Sequence, residues 1–128
     1  MKEYVGYIID KSIRNKKVIK ELPITNRKKI WLGLITILEI KVSEKELDNL
    51  IVTLQENMTT QIGFFKQEFY IHFYCGNELI VVFRQKVFHI TSDKETWGDA
   101  ISYGKNIGII EKQLDFLSPE ENQKRYFS

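Results

Sequence analysis

A chain of 128 residues has room for one hydrophobic core, so a single α+β domain over residues 1–128 is the expectation. With 43% hydrophobic and 28% charged residues, seven Gly and two Pro, the composition argues against a disordered tract, and Cys75, the lone cysteine, excludes an internal disulfide framework. The net charge is only +2, yet residues 1–29 carry nine Lys/Arg against three Asp/Glu, so an electrostatic partner would meet the N-terminal third.

Tyr4 to Ile9 is apolar on both pleat faces and reads as an internal strand. Ile13, Val18, Ile19 and Leu22 give a thin apolar side among basic residues, one or two turns of helix that Pro23 ends. Thr25 to Lys29 reads as a polar connection. Ile30 to Val42 then reads as one long strand. Leu32, Leu34, Thr36, Leu38, Ile40 and Val42 share a face, while the opposite face turns polar at Glu39 and Lys41 and is expected to emerge into water there.

Ser43 and Glu46 have capping-box spacing, and Val42 can staple onto Leu47. Leu47, Leu50, Ile51, Leu54 and Met58 fall on one helical face, the clearest helix of the chain. Thr59 to Gly63 returns toward Glu68–Cys75, where Phe69, Ile71, Phe73 and Cys75 alternate with Tyr70, His72 and Tyr74. Gly76-Asn77 is a two-residue hairpin signal, predicting the pairs Tyr74 with Leu79, His72 with Val81 and Tyr70 with Phe83. Arg84-Gln85-Lys86 turns into a third strand, Val87 to Ile90.

Ser92 and Glu95 repeat the capping spacing before a helix that carries Trp97, Ala100, Ile101 and Gly104 on one side and is capped by Gly108. Gly104 on the apolar stripe implies close approach to the sheet. Leu114, Phe116 and Leu117 return to the body, and Ser118-Pro119-Glu120-Glu121 forms a third cap. The resulting order predicts an α+β two-layer sandwich. Its sheet is mixed but mostly antiparallel, of about five strands including a C-terminal three-strand meander, with two main helices plus short helical segments.

Chemistry is sparse. His72 and Cys75 are three apart on a strand and point to opposite faces, and no CxxC or HxxxH spacing exists, so no metal and no cofactor is expected. Tyr70, His72, Tyr74, His89 and Trp97 are the candidate ligand-binding residues, in a pocket between the sheet and the 92–108 helix with His72 or His89 as a base. The plainer reading of the Tyr70–His72–Tyr74 row is a core or subunit contact. Arg14, Lys16, Lys17, Lys20, Arg27, Lys28 and Lys29 could neutralise nucleic-acid phosphates, although the cluster lacks interleaved aromatics and reads as readily as a solvated face. Acidic residues from Asp93 to Asp99 complement a helix dipole.

No catalytic motif stands out, and an enzyme is the less favoured class. The function expected is a non-catalytic binding module acting as a homodimer, because the meander and the Ile30–Val42 strand are apolar on both faces while two helices can cover only one. Nucleic-acid binding through the basic third is the alternative, and a small-ligand protein or enzyme the next. Met1 to Gly6 lacks the basic-then-apolar layout of an export signal, and the run Trp31–Leu38 is far short of the roughly 20 residues of a membrane span. A cytoplasmic protein without a membrane partner is therefore expected.

Overall fold

A computed structural model describes residues 2–128. Six strands form one sheet: β1 (Glu3–Ile9), β2 (Ile24–Ile30), β3 (Ile35–Ser43), β6 (Tyr70–Cys75), β7 (Glu78–Phe83) and β8 (Lys86–Thr91), in the order β2-β3-β1-β6-β7-β8. A small hairpin, β4 (Gln61–Ile62) and β5 (Phe65–Lys66), stands apart from it. The helices are α1 (Lys16–Glu21), α2 (Glu44–Asn57), α3 (Gly98–Asn106) and α4 (Pro119–Asn122), the last running on into a wider turn, Gln123–Phe127. The chain is an α+β fold on an antiparallel sheet, since each pairing in it is antiparallel.

The sixth strand comes from the stretch expected to be a connection followed by one long strand. Trp31, Leu32 and Gly33 take φ of 53°, 59° and 80°, three successive left-handed residues that reverse the chain. Ile30 therefore pairs with Ile35, and Thr25–Lys29 becomes part of an edge strand rather than a loop. Its exposed Arg27, Lys28 and Lys29 guard that edge against pairing with another chain. The meander follows its turn chemistry. Gly76 supplies φ +57°, and Tyr74 meets Leu79, His72 meets Val81 and Tyr70 meets Phe83, the expected register.

One sheet face is aliphatic and lies under α1 and α2. Ile8, Leu38, Ile40, Ile71, Phe73 and Val82 meet Leu47, Ile51 and Leu54 there. Gly6 makes this packing possible, for a Cβ at that position would stand 2.5 Å from the Phe73 ring. The α2 helix begins after Ser43 as expected, but the Ser43 side chain makes no capping bond; the Glu44 amide donates to the Lys2 carbonyl instead.

The opposite face is covered as well. Leu79, Val81 and Phe83 pack against Trp97, Ala100, Leu114 and Phe116, contributed by α3 and the segments on either side of it. Segments of the chain thus lie on both faces of the sheet. Face-to-face dimerisation loses its premise, because the chain supplies its own cover. Gly104 does mark a close approach, but the neighbour is Leu114 of the returning segment, 2.7 Å from a Cβ built there, and not the sheet. Among the described residues no helix is long and apolar enough to cross a membrane.

Candidate functional site

The polar aromatic row on β6 is a clasp for the chain's own C-terminal segment. Tyr70 donates its hydroxyl to the Gln113 carbonyl at 2.6 Å, and Tyr74 donates to the Phe116 carbonyl at 2.6 Å. His72 Nε2 lies 2.8 Å from the Leu117 carbonyl; a carbonyl only accepts, so this nitrogen carries the proton. Three alternate residues of one strand thus hold three carbonyls of one strap. Phe116 is driven between the rings, 5.2 Å from Tyr70 and 5.1 Å from Trp97. The Trp97 indole N–H is in turn donated to the Thr91 carbonyl at 2.7 Å.

Burial sets the electrostatics of this row. It lowers the His72 pKa to about 4 against a weaker opposing effect of the Leu117 carbonyl, so the imidazole is neutral at neutral pH. It raises Tyr74 to about 12 and pushes Tyr70 up as well, with Asp115 adding to the second effect. Neutral donors against backbone carbonyls are what a strap bond needs.

Glu39, expected to emerge into water, is 7% exposed. Its carboxylate accepts from Tyr7 at 2.9 Å, Thr25 at 2.8 Å and Gln123 at 2.9 Å. The far end of the chain provides the cover, for the turn after α4 folds over β1 and β3 and closes this position. The Ser118–Glu121 capping box forms as expected and starts that turn.

Of the five candidate ligand residues, Tyr70, His72, Tyr74 and Trp97 come together around Phe116, and His89 does not. His89 pairs with Ile80 on β8, which turns it to the opposite sheet face, where it is exposed. The space between α3 and the sheet is filled by Phe83, Trp97 and Phe116. A cleft of about 410 Å³ lies instead beside the C-terminal end of α3, bordered by Tyr103, Ile107, Lys66, Gln67, Glu68 and Arg84, with neither histidine in it. Arg84 donates to Glu68 there at 3.1 Å.

The basic candidates Arg14, Lys16, Lys17, Lys20, Arg27, Lys28 and Lys29 are all exposed, and among the described residues none enters an ion pair. They divide between α1 with its approach and the β2 edge. Strand pairing brings the end of β1, the β2–β3 turn, the start of β6 and the β7–β8 turn to one end of the sheet. The β4–β5 hairpin rises from the same end, its base closed by the Gln67 amide donating to the Thr60 carbonyl at 2.7 Å, next to Arg84 and Gln85.

Two apolar tips therefore share that end: Trp31, Leu32 and Leu34 on the first, Phe64 and Phe65 on the second. Leu32 and Phe64 are as exposed as in an unfolded chain, at 102% and 101%. Sequence reasoning missed both tips, having placed Trp31–Leu34 inside a strand and assigned nothing to Phe64 and Phe65. Gly33 and Gly63, both at positive φ, were the available signals. Among the described residues no group of His, Cys, Asp and Glu could hold a metal ion. No family model, no curated protein and no solved structure matches the chain.

Proposed function

We propose that this chain is a cytoplasmic, non-catalytic binding module whose working surface is the end of the sheet bearing the two hairpin tips. One observation carries the reading: among the described residues, five of the seven large hydrophobic side chains left exposed, Trp31, Leu32, Leu34, Phe64 and Phe65, belong to those tips. Apolar groups gathered at one end, in a chain that covers both faces of its sheet, are the mark of a surface kept for a partner. The Tyr70–His72–Tyr74 row supports this by default, since each of its side chains donates to the strap.

Nucleic-acid binding is the second reading. It is supported by Trp31, Phe64 and Phe65 at the end where Lys28, Lys29 and Arg14 lie, which supplies the aromatics missing from the basic cluster in sequence. A homodimer, the form expected from a bare sheet face, is left to the tips and the strand edges.

Iodide quenching of tryptophan emission tests the proposal. Trp31 is exposed and Trp97 is buried, so the quencher reads the tip. Trp31 is expected to become shielded when the protein is titrated with lipid vesicles, with oligonucleotides or with itself. Quenching unchanged in all three titrations would sink the proposal.

A further inference from the structure

We infer that the hairpin end docks on an anionic lipid surface, its tips entering the headgroup boundary while the flanking lysines meet the lipid phosphates. The inference rests on the reading of this end as the working surface. Leu32, Leu34 and Phe64 have only hydrocarbon to offer a partner, and Trp31 at the base of the first tip is the residue type that favours a membrane–water boundary. The turn amides of Gly33 and Leu34 donate back to the Ile30 and Trp31 carbonyls, at 3.1 Å each. The tip thus carries few unpaired backbone donors toward hydrocarbon, where each would be costly. Left-handed backbone at Trp31 and Leu32, unfavourable for both, is what turns these side chains outward.

Charge chooses among occupants. Lys28 and Lys29 lead into the first tip and Lys66 follows the second; all three are exposed and, among the described residues, outside every ion pair. A symmetric second copy seated on the tips would set these lysines against their own counterparts. A nucleic acid would satisfy the lysines but leave Leu32 and Leu34 without a role, since aliphatic side chains have no ring to stack on a base. An anionic bilayer accepts both kinds of group: the apolar tips enter, and lysine stems lie along the tips with their ammonium groups at the phosphates. Such surface contact requires no spanning helix.

The full chain should pellet with vesicles of phosphatidylcholine and phosphatidylserine at low salt, with a blue shift of Trp31 emission. High salt, or vesicles of phosphatidylcholine alone, should release it. Lys28→Gln with Lys29→Gln should weaken partitioning about twenty-fivefold, roughly fivefold per lost cation. Trp31→Ser with Leu32→Ser and Phe64→Ser should abolish it while far-ultraviolet circular dichroism is unchanged, these side chains being exposed and outside the core. No pelleting and no emission shift with anionic vesicles at low salt overturns the lipid inference. If an oligonucleotide or a rise in protein concentration then still shields Trp31, the hairpin end stands as a docking surface for that partner. If neither does, the proposed function falls with it.

Discussion

The strap-covered face of the sheet and the hairpin end both display aromatic side chains, and they treat them in opposite ways. On the face, Tyr70, His72, Tyr74 and Trp97 each donate to a carbonyl within the chain, and Phe116 fills the space between the rings. At the hairpin end, Trp31, Phe64 and Phe65 are left exposed. The difference teaches that residue type did not decide the role of these aromatics; distance along the chain did. A strap arriving from some 40 residues downstream converts a row that looks like a ligand grip into core, whereas no later segment comes back over the tips.

The largest effect that would break this comparison is removal of its wedge. Phe116→Ala should cost about 3–5 kcal/mol, because a fully buried ring touching Tyr70, His72 and Trp97 is lost and the strap carbonyls lose their seat. Urea unfolding followed by circular dichroism measures it. A loss below about 1 kcal/mol would mean that the strap is not part of the core.

Acid should act next, through His72. Its pKa is lowered to about 4 by burial from an ordinary value of 6.5, so between these values the unfolded chain binds a proton that the folded chain refuses. The stability associated with the neutral imidazole is complete above pH 6.5 and is lost as pH falls toward 4, by roughly 3 kcal/mol at most. Stability curves of the native protein and of His72→Gln, which keeps a donor for the Leu117 carbonyl, should converge at low pH and separate above pH 6.5. Parallel curves would show that the strap lets water reach the ring.

The smallest effect belongs to the tips. Leu32→Gly removes an exposed side chain from a residue at φ 59° and should leave stability unchanged or raise it by up to about 1 kcal/mol. A loss above about 1 kcal/mol would place Leu32 in a packing role and end the contrast between tip and face.

Much of this architecture was legible locally. Apolar spacing marked α2, Gly76-Asn77 set the β6–β7 register, and Ser118-Pro119-Glu120-Glu121 marked the last cap. These features depend on neighbours a few residues away, and such interactions are written in the order of residues. The β2–β3 turn was not legible, because Trp31-Leu32-Gly33-Leu34 is as apolar as the strand that follows, and only the backbone shows the reversal. Glu39 was misjudged for another reason: pleat alternation gives its face correctly but cannot give what lies on that face.

The candidate site shows the same division. The sequence by itself determined an α+β chain, an antiparallel meander, a lone cysteine kept apart from His72, and lysines concentrated toward the N-terminus. Only the tertiary structure decided that the Tyr70–His72–Tyr74 row is closed by the strap, that His89 faces away from it, and that two apolar tips share one end with unpaired lysines. The physical reason is range. Periodicity and turn chemistry act across a turn or a hairpin, while burial is settled by whichever distant segment returns to cover a surface, and by the surfaces to which none returns.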